Sequence, residues 1–119
     1  METTDKKGEG MVKLVVIRGA GQGKEFPLEL GANLLGRWDP DTGSFPEVDL
    51  EKEDVDAKVS RKHAVIEIEP GIYTLEDIGS LNGTFVNRSA RLKEAEKIQL
   101  KSGDEIVIGK VFLRFEVAE

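Results

Sequence analysis

Ser60-Arg61-Lys62-His63 and Gly79-Ser80-Leu81-Asn82-Gly83-Thr84 are the two stretches of this chain whose residue types could do chemistry. Together they offer cations at Arg61 and Lys62, hydroxyls at Ser60, Ser80 and Thr84, an amide at Asn82 and glycines at Gly79 and Gly83. That inventory is almost entirely hydrogen-bond donors, which suits an oxyanion such as phosphate better than a metal or an apolar ligand. Arg37, following Gly36 at the end of the apolar run Asn33-Leu34-Leu35, adds a third cation if its strand neighbours these stretches.

The segment between the two stretches is what would bring them together. Ala64–Glu69 alternates apolar and polar residues with β-branched side chains, the pattern of a half-buried strand, and Ile72–Ile78 alternates again. Pro70-Gly71 separates them, and a two-residue break between such runs reads as a tight hairpin. The outer ends of an antiparallel pair coincide, so the loops at Ser60–His63 and Gly79–Gly83 are expected at one end of a sheet.

The rest of the chain follows the same grammar. Val12–Arg18 is a β-rich run that Gly19–Gly23 turns into Lys24–Leu28, and Trp38–Glu47 is a loop by its prolines, glycine and aspartates. Val48–Leu50 is a brief strand, Glu51–Val59 an acidic loop, and Arg88–Ala95 another loop after Asn87. Lys97–Leu100, Glu105–Ile108 and Lys110–Val117 are extended, with Lys101–Asp104 as a turn. Many short strands with turn signals between them and no helical period predict an all-β sandwich.

Gly36-Arg37, Ser60-x-x-His63, Gly79–Thr84 and Asn87, in this order, resemble the forkhead-associated (FHA) domain, a phosphothreonine-peptide binding family, over residues 11–118. The resemblance implies an FHA-like sandwich of two antiparallel twisted sheets, about eleven strands in all, with its binding loops at one end. It assigns phosphopeptide contacts to Arg37, Ser60, Arg61, Leu81 and Asn82, and places Lys62 on the rim. Gly36, His63, Gly79, Ser80, Gly83, Thr84 and Asn87 become residues that shape or hold loops. Leu81 departs from family members that carry a hydroxyl before the asparagine. Its backbone N–H can still serve, and its side chain can meet an apolar group such as the threonine methyl.

The implied function is phosphothreonine-dependent peptide binding in Ser/Thr kinase signalling, without catalysis, cofactor or metal. The implied partner is a phosphothreonine-bearing protein, a Ser/Thr kinase or its substrates. The alternative is a scaffold of the same fold that binds independently of phosphate. A serine hydrolase is the remote third reading, since His63 is the sole histidine and no G-x-S-x-G elbow surrounds a serine.

Two further motifs fail on spacing. A phosphate loop needs Ser or Thr after Lys24, where Glu25 stands, and a glycine where Arg18 stands. Asp39-Pro40-Asp41-Thr42-Gly43 starts like a calcium loop, but its glycine is one place early and Leu50 sits where the closing glutamate belongs.

A length of 119 residues fits one domain. There is no cysteine for a disulfide or a zinc-thiolate site, and a net charge of −6 disfavours nucleic acid and anionic membranes. Against that charge, Arg37, Arg61, Lys62, Arg88 and Arg91 cluster in sequence around the motifs. The polar residues 1–10 read as a disordered tail without a signal segment, so a cytoplasmic location is expected. Thr3 and Thr4 in that tail are candidate phosphorylation sites. Met11 to Thr4 spans at most about 25 Å when extended, which favours docking onto a second molecule at Arg37, Ser60 and Asn82. Sedimentation of tail-phosphorylated protein tests this self-association.

Overall fold

The computed structural model describes residues 12–118. Thr3, Thr4 and the expected tail lie outside them. Ten strands are described: β1 Val12–Arg18, β2 Glu25–Pro27, β3 Gly31–Gly36, β4 Val48–Asp49, β5 Lys62–Glu69, β6 Ile72–Asp77, β7 Thr84–Val86, β8 Lys97–Gln99, β9 Glu105–Ile108 and β10 Val111–Val117. An isolated bridge joins Asp39 to Ser44 around a 3-10 turn at Pro40–Thr42. The strands form two five-stranded sheets, ordered β2-β1-β10-β9-β7 and β4-β3-β5-β6-β8. The sandwich read from the sequence is therefore what the chain forms.

Alternation explains the packing. Val12, Leu14 and Val16 of β1, Leu113 and Phe115 of β10, and Ile106 and Ile108 of β9 are buried from one sheet. Leu35, Ala64, Ile66, Ile68 and Leu75 are buried from the other. Each is the inward half of a period-two strand, and their mutual burial supplies the main stabilising term. The β5–β6 hairpin is in the expected register, Glu69 opposite Ile72 and Ala64 opposite Asp77, with Gly71 at a φ of 75°.

The structure adds two features to the sequence reading. β3 and β4 run parallel, so the second sheet is mixed, because the chain crosses back over the sheet's end through residues 37–47. Thr84–Val86 is a strand and not part of a loop: Thr84 pairs with Ile108 and Val86 with Ile106. Three residues inside a motif read as loop are too few to show a period. No described helix is long and apolar enough to cross a membrane.

Candidate functional site

Gly36, Arg37, Ser60, Arg61, His63 and the loop after β6 meet at one end of the sandwich, and backbone contacts hold them there. β3 lies beside β5, with Gly36 opposite Lys62 across a register shift. The Arg37 N–H then donates to the Arg61 carbonyl at 3.0 Å, and the Arg37 Nε donates to the Val59 carbonyl at 2.7 Å. A Cβ built on Gly36 would lie 1.9 Å from the Arg61 carbonyl oxygen. Glycine is required here for close approach and not for an unusual φ.

His63 ties the two loops together from inside. It is fully buried; its Nδ1 accepts from the Ser60 N–H at 3.0 Å, and its Nε2 lies 2.8 Å from the Gly83 carbonyl. An acceptor at Nδ1 and a carbonyl facing Nε2 select the neutral tautomer protonated at Nε2. Burial pushes the His63 pKa below its ordinary value, against the Gly83 carbonyl and the Asp77 charge, which favour the cation. A depressed histidine pKa means that the unfolded chain takes up the proton first. Its contribution to stability is complete above the unfolded value of 6.5 and is lost as pH falls below it. His63→Ala is expected to cost about 1–3 kcal/mol, to weaken ligand binding with it, and to flatten the stability slope just below that pH. Urea melts at pH 7.5 and 5.5 check this, and an unchanged melt with lost binding would point to a direct ligand role.

The Ser60 Oγ accepts from the Leu81 N–H at 3.1 Å, and the Asn82 Nδ2 donates to the Lys58 carbonyl at 3.2 Å. Leu81 projects into solvent, 79% exposed. Arg61 is more than half exposed, and its Nε pairs with the Asp39 carboxylate. In this structure the guanidinium that the resemblance assigns to phosphate is paired with a carboxylate of the chain itself. Asp39 itself caps the 3-10 turn by accepting from the Asp41 N–H. The carboxylate first weighed as a calcium ligand instead organises a loop.

The hydroxyls of Ser80 and Thr84 are not free donors. They donate to Asp77 Oδ2 at 2.6 and 2.7 Å, while the N–H groups of Gly79 and Ser80 donate to Asp77 Oδ1 at 2.8 and 2.9 Å. Ser80 also accepts from the Gly83 N–H at 3.0 Å. Burial would raise the Asp77 pKa, but these four donors outweigh it and lower it from 3.8 to about 2. Of the donors first counted around the site, two thus face inward.

An order of motifs resembling one family, realised as two loops clamped by a buried histidine at one end of a β-sandwich, meets its match outside this chain. The sequence profile of the FHA domain matches residues 34–109. The chain belongs to the FHA family. Over 114 residues this FHA protein is 42% identical to a protein named oxoglutarate dehydrogenase inhibitor from Corynebacterium diphtheriae, covering 96% of this chain and 69% of that one. It is 39% identical to the glycogen accumulation regulator GarA of Mycolicibacterium smegmatis, covering 89% of this chain and 59% of that protein. Among solved structures, a domain described by its phosphothreonine-dependent FHA interactions superposes with a TM-score of 0.72 at 30% identity, covering 91% of this chain and 97% of that one.

Within this FHA domain the sequence reading misses two residues, Asp77 and Asp54, and the role of a third, Arg91. Asp77 is the hub of the Gly79–Thr84 loop, and its signal was an aspartate two places before a glycine and three before a serine. Asp54, also buried, accepts from the N–H groups of Lys58 and Val59 at 2.7 and 3.0 Å and shapes the approach to Ser60. The Arg91 Nη2 donates to the Ser80 carbonyl at 2.8 Å, capping the loop from outside. Asn87 and Arg88 sit elsewhere. β7 carries the chain from Ile108 toward Ile106, so Asn87 lies past its far end, bonded to Asp104 and the Glu105 backbone, and Arg88 pairs with Glu105. Asn87 is thus bonded at the 101–104 turn and not at a site loop, and Arg88 does not join the site's cations.

Proposed function

We propose that residues 11–118 form a non-catalytic domain that binds phosphothreonine segments of partner proteins, a Ser/Thr kinase or its substrates among them. Arg37, Ser60 and Arg61 receive the phosphate, and the Asn82 amide holds the peptide main chain. The observation that carries this reading is the clamp. Residues 58–61 and 79–83 are fixed to each other through His63, Ser60 and Asn82, which leaves a preorganised group of donors at the surface. The relatives' names, an inhibitor and a regulator, accord with action through binding.

The same geometry speaks against hydrolysis. His63 spends Nδ1 on the Ser60 backbone N–H, and its other nitrogen faces Gly83, so neither is placed to take a proton from the Ser60 hydroxyl.

Each charge-assisted hydrogen bond to phosphate contributes about 1.5–3 kcal/mol. Two or three of them, even with strong non-additivity, make removal of the phosphate cost on the order of a hundredfold in affinity. Calorimetry with matched phosphorylated and unphosphorylated threonine peptides tests this. Arg37→Ala and Ser60→Ala should each weaken the phosphorylated complex and leave the melting temperature nearly unchanged. Equal affinity for both peptides would favour the phosphate-independent scaffold instead.

A further inference from the structure

Trp38 and Phe45 carry a contact that the phosphate site does not use. Their rings meet edge to face with centroids 5.0 Å apart and planes at 75°, yet they remain 53% and 54% exposed. They stand at adjoining cross-strand positions beside the Asp39–Ser44 bridge, so the pleat turns them to the face opposite Asp39 and Ser44. Those two residues hold the loop to the site: the Asp39 carboxylate pairs with Arg61, and the Ser44 hydroxyl donates to the Arg61 carbonyl at 2.8 Å. Asp39 and Ser44 also exchange both backbone hydrogen bonds at 2.9 Å, and the Trp38 N–H donates to Asp49 at 3.3 Å.

The loop is thus closed without help from the rings. A pair that served only to close it would be buried, whereas this one leaves much of its apolar surface in water. It is also not isolated. Of the large hydrophobic side chains exposed among the described residues, Trp38, Phe45, Val55 and Leu81 lie in loops at the site's end, and only Leu30 and Ile72 lie elsewhere. Contiguous exposed apolar surface next to a cationic site fits a ligand that brings an anion and an apolar group together.

We infer that Trp38 and Phe45 form an apolar anchor for an aliphatic or aromatic side chain on the same partner segment that carries the phosphothreonine. The inference rests on the proposed phosphothreonine reading. Arg37 and Trp38 are consecutive, so anchor and phosphate site share one rigid loop, and an extended segment advancing about 3.3–3.6 Å per residue passes from one to the other within a few residues.

The test is a leucine scan through a phosphothreonine peptide otherwise built of alanine and glycine, titrated against the intact protein. At one or two positions leucine should tighten binding about fivefold to tenfold. Trp38→Ala and Phe45→Ala should abolish that gain and leave the parent phosphopeptide's affinity unchanged. Trp38 is the chain's single tryptophan, so its emission should shift to the blue with the leucine peptides and not with the parent. A flat scan, a gain that survives both substitutions, or an equal gain from arginine at the same position would overturn the anchor while phosphate-dependent binding stands. If no phosphothreonine peptide bound at all, both readings would fall.

Discussion

Asp77→Ala is expected to destabilise the protein by about 3–5 kcal/mol and to abolish phosphopeptide binding in whatever remains folded. One buried carboxylate accepts from two hydroxyls and two backbone N–H groups. Alanine leaves all four donors without a partner in a site too enclosed for water to replace it freely. The loop that presents Leu81 and Asn82 would lose its buried charged organiser and keep only the Arg91 cap on its outer side. Ionisation gives a second handle. Because the folded pKa is lowered from 3.8 to about 2, the carboxylate contributes stability above pH 4 that is lost as pH falls through 2. That linkage is worth about 2 kcal/mol. Urea unfolding of wild type at pH 7 and pH 2 should show the loss, and Asp77→Ala should lack that part of it. Asp77→Asn keeps one acceptor oxygen and should fall between the two. An alanine variant within 1 kcal/mol of wild type at pH 7 would remove Asp77 from this role.

What could be read from the sequence divides along physical lines. The β5–β6 hairpin was legible because two period-two runs flank Pro70-Gly71, and its register then forces Ser60–His63 and Gly79–Gly83 to one end. Donor-rich residue types in both loops announced an anion site, and the order of motifs carried the family. Side-chain direction was not legible. Ser80 and Thr84 look identical to ligand donors until Asp77 is seen beneath them, and nothing in the types of Asp39 and Arg61 says that they pair across loops. β7 was missed because three residues carry no measurable period. The parallel β3–β4 pair was missed because strands of that length are set by tertiary packing and not by propensity. Asn87 and Arg88 were adjacent to the motif in sequence, but a three-residue strand carries them to the other end of the sheet.

Gly36→Ala is expected to cost about 3 kcal/mol or more in stability and to weaken phosphopeptide binding at least tenfold. The reason is space and not backbone conformation, since Gly36 is absent from the residues at positive φ. An added Cβ would stand 1.9 Å from the Arg61 carbonyl oxygen and 2.8 Å from its carbon. The obstacle is hydrogen-bonded backbone at the entry to β5, so it cannot swing aside as a flexible side chain would. Relief requires the Ser60–Arg61 segment to retreat by about 1 Å in a close-packed setting. That segment is held by the Arg37 N–H and the Ser44 hydroxyl, both bonded to the same carbonyl at 3.0 and 2.8 Å. The displacement would therefore pull Ser60 and Arg61 away from Arg37 while it strains the loop bearing Trp38. Gly71→Ala is the control. It meets nothing within 4 Å but holds a φ of 75°, so it should cost about 1–2 kcal/mol from backbone strain alone and leave binding untouched. Chemical denaturation and calorimetry on the two variants separate a blocked approach from a strained turn. If Gly36→Ala bound phosphopeptide as well as Gly71→Ala does, the close approach of β3 to the Ser60–Arg61 loop would not be what aligns the site.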